Sequence, residues 1–421
     1  MSSSFNKNER LIARYLSKMP WLKQFLKLKY SKIVFQYHKK QYKYQSDYQI
    51  YEITDNKNET FFGYYDKSPL SSDGKFIIFH SSSNSTKKLP VSSVAISIIL
   101  MDFINKREIA RFKSYAYNWQ QGSKLQWLNK NTFIFNDFDF NRNIYVSKIV
   151  NAETAKIETI IDYPIYDCHT NYGLSINFDR LNILRPDYGY RNHSLTSKSS
   201  LKNLSNDGIF IVNFTDKQGK LLLSLQSIVD TEKTKLMAKA FHKINHIMIS
   251  PDGKSFIFLH RYFVNGIKYD RLFLSNISGT KLRVLSDHEM ISHCFWKDNS
   301  NIICFMRRFD MGDKYYNINI DKFEIKTFGE GIIDKYGDGH PNCFRDKLLF
   351  DTYPNKARMK ELMIYDMNNK SLKIIGEFYE SFDFKGETRC DLHQRWSLDG
   401  QYIFFDSVHT NFRRLYYLKY N

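Results

Sequence analysis

The stretch RCDLHQRWSLDGQYIFFDSVH, residues 389–409, holds a pattern that occurs more than once in the chain. INHIMISPDGKSFIFLHRY (244–262) and YYDKSPLSSDGKFIIFH (64–80) share it. Each has a polar residue, a short apolar run, an Asp-Gly turn and a second apolar run that ends in polar groups. Glycine adopts the positive φ that closes such a hairpin, and Asp and Ser bond the turn backbone. Each stretch therefore predicts a β-hairpin with polar groups at the end away from its turn.

The hairpin recurs at a near-constant interval. Histidines stand before the turns at His246, His293, His340 and His393, at spacings of 47, 47 and 53 residues. Dividing the chain after residue 50 by about 50 residues gives about seven units, each the size of a four-stranded propeller blade. An α/β fold would need long helical patterns there. A β-sandwich is the competing fold, but it has no reason to repeat one hairpin. We predict an all-β, seven-bladed β-propeller over residues 47–421, closed by a strand from residues 48–53.

Residues 1–46 differ from the rest of the chain in charge. They carry eleven Lys/Arg and one acid, Glu9, out of a formal net charge of +18 for the whole chain. Apolar residues recur at helical spacing through residues 10–44, with Pro20 as an interruption. This composition predicts a basic amphipathic helical arm that contacts an anionic membrane surface. The alternative is a helix that docks on its own domain or on a partner, with solvated lysines.

Several classes of protein are disfavoured by the sequence. The five cysteines form no CxxC and suggest a reducing compartment. No signal peptide and no run of 18 apolar residues is visible, so we expect a cytoplasmic protein, peripheral on the inner membrane through its arm. Known nucleophile and nucleotide-binding motifs are absent from the sequence. Nucleic acid is not an expected partner, because the positive charge is concentrated in the arm.

Equivalent hairpins of a propeller point the same way, so their polar ends should meet on one rim near the central channel. The residues predicted there are Tyr65, Asp66, His80, Asn136, Asp137, His246, His260, Arg261, His293, Arg307, Arg308, His340, Asp351, Tyr353, His393, Asp406 and His409. The segments LRPDYGYRNH (184–193) and YNWQQGSKLQWL (117–128) should add Arg185, Tyr188, Tyr190 and Gln121. Neutral imidazoles at a channel mouth could hold a metal or a sugar. The alternative is one structural hydrogen bond repeated from blade to blade.

The hairpins NHIMISPDGKSFIFLHR (245–261), DGHPNCFRDKLLFDTYP (338–354) and DLHQRWSLDGQYIFFDS (391–407) resemble TolB-like propeller repeats, and more closely those of the oligogalacturonate-lyase type. The resemblance implies a divalent metal, manganese or similar, at the channel mouth. It carries over His293, His340 and His393 as metal ligands. The chain is also similar to propeller proteins of bacterial surface-polysaccharide gene clusters, which implies polysaccharide-biosynthesis proteins as partners.

The expected function is action on an acidic oligo- or polysaccharide, most concretely as a lyase linked to capsule or surface-polysaccharide metabolism. β-Elimination from a uronate needs a cation at the carboxylate, a base for the C5 proton and an acid for the leaving oxygen. The candidate catalytic residues are His246, His340, Tyr65, Tyr188, Arg185 and Arg261. The candidate substrate-binding residues are Asp66, Gln121, Tyr190, Arg307, Asp351, Tyr353, Arg389 and Asp406. The alternatives are a non-catalytic scaffold that binds glycan or protein, and a glycosyltransferase-associated protein.

Overall fold

A helix precedes the propeller in the described part of the chain. The computed structural model describes residues 20–193 and 198–420. Helix α1 (Pro20–His38) is followed by β1 (Tyr44–Ser46) and β2 (Ile50–Ile53). The predicted helix after Pro20 is therefore present, whereas the apolar pattern of residues 10–19 lies outside the described residues.

Seven antiparallel sheets follow one another along the chain, as predicted for a seven-bladed propeller. Blade 1 comprises β3 (Glu59–Phe61), β4 (Phe76–Ser82), β5 (Ile96–Asp102) and β6 (Arg107–Ser114). Blade 2 comprises β7 (Gln126–Asn129), β8 (Thr132–Asp139), β9 (Ile144–Asn151) and β10 (Lys156–Ile161). Blade 3 comprises β11 (Asp167–His169), β12 (Tyr172–Ile176), β13 (Gly208–Asn213) and β14 (Gly219–Ser224). Helix α2 (Phe178–Leu184) lies between β12 and β13, and helix α3 (Leu225–Asp230) follows β14.

The later blades repeat the same plan. Blade 4 comprises β15 (Phe241–Ile249), β16 (Ser255–Val264), β17 (Ile267–Asn276) and β18 (Leu282–Ser286). Blade 5 comprises β19 (Ile291–Trp296), β20 (Asn301–Arg308), β21 (Gly312–Asn319) and β22 (Glu324–Thr327). Blade 6 comprises β23 (Asn342–Phe344), β24 (Lys347–Asp351), β25 (Met359–Asp366) and β26 (Ser371–Tyr379). Blade 7 comprises β27 (Arg395–Trp396), β28 (Tyr402–Ser407) and β29 (Arg414–Lys419).

The two N-terminal strands complete the last two blades. Strand β2 pairs antiparallel with β29, from Ile50 opposite Leu418 to Ile53 opposite Leu415. It is the fourth strand of blade 7, so the ring closes with the strand predicted from residues 48–53. Strand β1 pairs with β26 and makes blade 6 five-stranded. The division of the chain at residue 46 stays a prediction.

The Ser-x-Asp-Gly turns have one geometry in three blades. Gly74, Gly253 and Gly400 have φ of 73°, 71° and 73°, in the left-handed region that favours glycine. The serine that opens each turn donates to the aspartate two residues later, at 2.7, 2.7 and 2.5 Å. The same hydroxyl oxygen accepts a hydrogen bond from the backbone amide five residues later in the chain, at 2.9, 3.0 and 2.9 Å. The repeated motif therefore fixes the geometry of the hairpin turn.

The two faces of the propeller have different connections. We call the face with these turns the turn rim. The opposite face, on which the chain passes from one blade to the next, is the crossover rim. The core lies between blades, where apolar residues on alternate strand positions pack against one another, as Phe378 of blade 6 does against Phe405 of blade 7 with ring centroids 4.7 Å apart. Over the described ranges 20–193 and 198–420, no helix is long and apolar enough to cross a membrane.

Candidate active site

Four histidines from consecutive blades line one side of the central channel. His246 lies in β15, His293 in β19, and His340 and His393 just before β23 and β27. Their ring centroids are 5.6 Å apart from His246 to His293, 4.2 Å from His293 to His340 and 4.5 Å from His340 to His393. The structure thus places the four imidazoles side by side in blade order, while their chemical roles stay predictions.

Irregular backbone aims two of these side chains. His246 has φ of 53° and His393 has φ of 43°, in a region that residues with a Cβ rarely adopt. The pairing of β15 with β16 shifts register between Asn245 and Met248, so His246 lies in a bulge. Bulges re-aim a side chain at the cost of local strand regularity, and they are over-represented beside functional sites.

Carboxylates orient two of the rings. Nδ1 of His340 lies 2.9 Å from Oδ1 of Asp351, and Nδ1 of His293 lies 3.1 Å from Oδ1 of Asp338. An Nδ1–H that donates to a carboxylate leaves the Nε2 lone pair for another ligand. Burial lowers the pKa of His340, but Asp351, together with Asp391 and Asp338, more than offsets this and the pKa is raised overall. For His293, burial and the neighbouring His340 lower the pKa.

His246 is in contact with a tyrosine hydroxyl. Oη of Tyr64 lies 3.0 Å from each ring nitrogen of His246. Burial, with the positive charge of Arg261, holds the pKa of His246 well below its usual range. Burial also raises the pKa of Tyr64 well above its usual value, so the hydroxyl stays protonated and donates. Burial therefore favours the neutral form of His246, and the one acceptor nitrogen of that form takes the hydrogen bond from Tyr64.

His340, Asp391 and His393 form a group that could hold a metal ion. One ligand atom from each lies within 4.8 Å of the others, and all three residues are buried. Nε2 of His393 is buried and has no hydrogen-bond partner among the described residues. Burial opposes the charge of Asp391, but Arg389 and Lys360 keep its pKa well below the usual range. Two imidazoles and a carboxylate suit manganese, iron or zinc, so the donors present fit a divalent cation.

A chain of charges connects this group to the segment 184–193. Arg389 bridges two carboxylates, with Nε 2.7 Å from Asp391 and Nη1 2.8 Å from Asp187. Arg185 lies 2.7 Å from the other oxygen of Asp187 and stacks over the ring of Tyr188 at 4.9 Å. Tyr188 in turn lies 5.8 Å from His246, centroid to centroid. Arg185, Tyr188 and Arg389 are thus in the neighbourhood of the histidines.

Arg261 supplies positive charge from blade 4. Its Nε lies 3.1 Å from Oδ1 of Asp270, and its Nη2 donates to the carbonyl of Ile291 at 3.2 Å. Lys243 pairs with Arg261 across β15 and β16. Its buried Nζ has no hydrogen-bond partner in the part of the chain that the structure describes. Burial, together with Arg261 and Arg185, holds the pKa of Lys243 well below its usual value.

Lysines take the place of the histidines in blades 1 and 2. Lys67 stands four residues before Ser71, the interval that separates His246 from Ser250 and His393 from Ser397. Nζ of Lys67 lies 2.5 Å from Oδ1 of Asp167 in blade 3. Lys124 lies over the ring of Tyr166 at 4.1 Å. The channel therefore has imidazoles on one side and lysines with a carboxylate on the other.

Other predicted residues lie between these two sides. The ring of Tyr65 is 5.3 Å from His340 and 5.7 Å from His293, and its hydroxyl donates to the carbonyl of Cys294 at 2.8 Å. Tyr353 is 5.9 Å from His340. Gln121 donates to Oη of Tyr166 at 3.1 Å, and that oxygen also accepts from the amide of His246 at 3.0 Å. Oδ1 of Asp66 is buried without a hydrogen-bond partner within the described ranges.

Three predicted residues are used elsewhere. Arg307 lies at the tip of the β20–β21 hairpin, half exposed, where it pairs with Asp313 at 2.8 and 2.9 Å. Tyr190 stacks on Phe178 at 4.2 Å and accepts from Asn136 at 2.9 Å. Asp406 accepts from the amides of Phe62 and Gly63 and from Arg395. The hairpin pattern predicts how far along the channel axis a side chain lies, but it does not predict whether the side chain points into the channel. These three residues therefore lie outside the expected cluster.

Further members of the expected rim are bound within or between blades. His80 lies 2.9 Å from Oγ of Ser123, His260 lies 3.0 Å from His242, and His409 lies 2.9 Å from Oγ of Ser407. Asn136 and Asp137 satisfy backbone groups of neighbouring segments. Arg308 pairs with Asp310. For these residues the structural alternative describes the contacts better than a common site does.

Tyr64 and Asp338 were missed by sequence reasoning. Tyr64 stands beside Tyr65 in the sequence, and Asp338 stands two residues before His340. The acid at the second position before a histidine occurs again at Asp391, before His393. This Asp-x-His spacing was the available signal. Lys243 had none, because a lysine in a strand usually lies in solvent.

The fold is shared with solved propeller enzymes. An oligogalacturonate lyase in complex with manganese matches with a TM-score of 0.57 and 13% identity, over 90% of this chain and 94% of that one. The oligogalacturonate lyase from Vibrio parahaemolyticus matches with a TM-score of 0.55 and 12% identity, over 89% and 96%. The β-propeller domain of the Trilobed protease from Pyrococcus furiosus matches with a TM-score of 0.46 and 10% identity, over 85% and 94%. No family model and no curated protein sequence matches the chain.

Proposed function

We propose that this protein cleaves a uronate-containing saccharide by β-elimination, as a lyase of bacterial capsule or surface-polysaccharide metabolism. The observation that carries the proposal is the row of imidazoles from His246 to His393, with Tyr64 hydrogen-bonded to His246 at one end and the group of His340, Asp391 and His393 at the other. The fold shared with two oligogalacturonate lyases supports it.

Different residues of the site carry the separate roles in this reaction. A base removes the C5 proton, the C–H electrons form the C4–C5 double bond, and the C4–O bond breaks toward a leaving oxygen that takes a proton. His246 is the base, because burial favours its unprotonated form, and its acceptor nitrogen must exchange the Tyr64 hydroxyl for the C5 proton. Tyr65 is the acid: burial raises its pKa, so it keeps its proton until the leaving oxygen is formed, and its hydroxyl must then leave the carbonyl of Cys294 to which it donates at 2.8 Å. Tyr188 is the alternative acid.

Positive charge is needed at the carboxylate to stabilise the carbanion formed at C5. Arg261 and Arg185 supply it, because the charge of each lowers the pKa of His246, after the larger effect of burial. A divalent cation such as Mn²⁺, held by His340, Asp391 and His393, would add Lewis-acid charge at the same carboxylate. His340 is then a ligand, which leaves His246 as the base.

Access to these groups requires a movement. His246, His293, His340 and His393 are only 2–5% exposed. Tyr188 packs against His246, Arg389 pairs with Asp391, and the Arg389–Asp187 ion pair holds these two segments together. A sugar that separates this pair would open the channel mouth, and its own carboxylate would replace Asp187 on Arg389.

The first experiment incubates the full chain and Mn²⁺ with oligogalacturonate and other uronate polymers. Formation of an unsaturated product is followed by ultraviolet absorbance. His246→Ala should abolish product, since the base is removed. His169→Ala, at the β11–β12 turn on the turn rim, is the matched control and should leave the rate unchanged. Wild-type protein that forms no unsaturated product with any uronate polymer would refute the lyase.

Metal binding is measured separately from activity. Titration calorimetry with Mn²⁺ should show one site in the wild type and a loss of affinity of about 100-fold or more in His393→Ala, because a ligand is removed. The matched control is again His169→Ala. Equal affinity in wild type and His393→Ala would exclude this set of ligands.

A non-catalytic glycan-binding scaffold is the second candidate, and the burial of the histidines favours it. Tyr64 and Tyr65 pack against the imidazoles at 5.0–5.7 Å and occupy part of the space that a substrate would need. On this alternative, a uronate oligosaccharide binds with unchanged affinity after chelation of metal, and no bond breaks. Association with a glycosyltransferase belongs to the same alternative.

A further inference from the structure

One face of α1 exposes a line of large apolar side chains. Leu26, Tyr30, Ile33 and Tyr37 are 41%, 40%, 59% and 84% exposed. Their spacing of four, three and four residues places them on one side of the helix. We call these four residues the α1 stripe. Leaving so much apolar surface in water is unfavourable, so the stripe suggests a surface that covers it.

The other side of α1 is fixed to the propeller. The ring of Phe35 lies 5.8 Å from Tyr379 and 5.6 Å from Phe382. The carbonyl of Lys43 accepts from the amide of Tyr379 at 2.9 Å, and β1 continues that pairing along β26. The helix is therefore packed in a defined position on blade 6, and the α1 stripe lies on the side of the helix away from Phe35.

The charges that α1 and the segment after it carry have one sign, although Glu377 of β26 pairs with Lys40 at 2.6 Å. Residues 20–43 contain seven lysines and no Asp or Glu. A second copy of this chain would bring the same cations opposite one another, which like-charge repulsion disfavours. An anionic lipid surface offers negative headgroups to the lysines and acyl chains to the stripe.

The seat of α1 is on the crossover rim, the same face as the histidines. Tyr379 ends β26, and the segment that follows it runs through Phe382 to Arg389 and Asp391. Other apolar tips lie on this rim, where the second strand of a blade turns into the third. Five blades expose a large apolar side chain there, by 50–67%: Leu89, Phe140, Ile267, Phe309 and Phe412.

We propose that α1 and these hairpin tips form one membrane-docking surface for anionic lipid, which holds the crossover rim toward the bilayer. Docking needs no spanning helix, because an interfacial helix lies in the headgroup region. The substrate would then be an acidic saccharide carried at the lipid surface. The identity of this substrate rests on the lyase proposal, whereas lipid docking does not.

The test is sedimentation of the full chain with vesicles of phosphatidylcholine alone or mixed equally with phosphatidylglycerol. We expect binding to the mixed vesicles and little to the neutral ones. Ile33→Glu with Tyr37→Glu should weaken binding by about tenfold or more, since apolar contact is lost and negative charge is added. Phe309→Glu should also weaken binding, by a smaller factor.

The matched control lies on the opposite face. Ile104 is 77% exposed at the β5–β6 turn of the turn rim, so Ile104→Glu makes the same chemical change away from the proposed surface. It should bind as the wild type does. Equal weakening by Ile104→Glu and Phe309→Glu would refute the orientation. No binding of the wild type to mixed vesicles would refute docking, as would self-association that the α1 variant abolishes. Vesicle binding is measured without substrate, so its failure is distinct from failure of the lyase.

Discussion

Replacing Asp406 by Asn tests whether this residue holds the fold or binds a ligand. Its Oδ1 accepts from the amide of Phe62 at 3.0 Å, and its Oδ2 accepts from Gly63 at 3.1 Å and from Arg395 at 3.0 Å. In Asp406→Asn, the amide NH₂ must face either the Phe62 N–H or, in the flipped rotamer, the Gly63 N–H and the guanidinium, donor against donor in both cases. Asp406 is the sole hydrogen-bond partner of the Arg395 side chain among the described residues, and Arg395 is fully buried.

The expected loss is large. Breaking a buried ion pair by removing one partner costs about 3–5 kcal/mol, because the other charge stays buried. Burial already lowers the pKa of Arg395, and Asp406 offsets only part of that effect. We therefore expect Asp406→Asn to lower the free energy of unfolding by about 3–5 kcal/mol. The loop that carries Tyr64 and Tyr65 follows Gly63, so the Tyr64–His246 hydrogen bond should weaken as well.

The assay is urea unfolding followed by tryptophan fluorescence, with a matched exposed pair as control. Asp313 pairs with Arg307 in a two-point geometry at 2.8 and 2.9 Å, but the pair is half exposed. Asp313→Asn should cost about 0–1 kcal/mol. Adding Arg395→Met to Asp406→Asn should recover part of the loss, since the unpaired charge is gone. A loss in Asp406→Asn no greater than that in Asp313→Asn would refute this account.

Two further predictions concern the closure of the ring and the turns. Asp55, just after β2, accepts from Arg111 at 2.8 and 2.9 Å, and this lowers the pKa of Asp55 to about 2. Its stabilisation is present above the usual 3.8 and is lost as pH falls toward about 2. In urea unfolding, Asp55→Asn should therefore lower the free energy of unfolding by about 1–2 kcal/mol at neutral pH and should have no effect near pH 2. A difference between variant and wild type that grows as the pH falls would contradict this prediction. Gly74→Ala and Gly400→Ala share φ of 73°, but only the second places a Cβ 2.1 Å from the ring of Phe344. Thermal unfolding should show a cost of about 1 kcal/mol for Gly74→Ala, with about 1–3 kcal/mol more for Gly400→Ala; equal costs would show that the ring yields freely.

The fold was predictable because its cause is local and repeated. A hairpin with a Ser-x-Asp-Gly turn needs only neighbouring residues, and each copy at an interval of about 50 adds evidence for a blade. The strand that closes the ring was also predictable, since an open ring would leave two sheet edges unpaired. The histidines were predicted to meet for the same reason. Each precedes its turn by a similar number of residues, so they lie at similar levels along the channel.

The partners within the site were less predictable. Tyr64 approaches His246 from a segment 182 residues away, and Arg389 reaches Asp187 across 202 residues. Arg307 and Asp406 occupy the predicted hairpin ends, yet one pairs with Asp313 at an exposed tip and the other holds the loop of Phe62 and Gly63. A hairpin pattern gives the height of a residue, whereas its direction depends on bulges and on the neighbouring blade.

The sequence by itself determined the seven blades, the closing strand, the basic helix after Pro20 and the common level of His246, His293, His340 and His393. These depend on hydrogen bonds and periodicity within a few tens of residues. Only the tertiary structure decided that Asp391 joins His340 and His393, that Tyr64 bonds His246, and that α1 lies on the histidine-bearing rim. Those contacts join segments that are far apart in the chain, and they form because closing the ring brings the first strand of every blade to one channel.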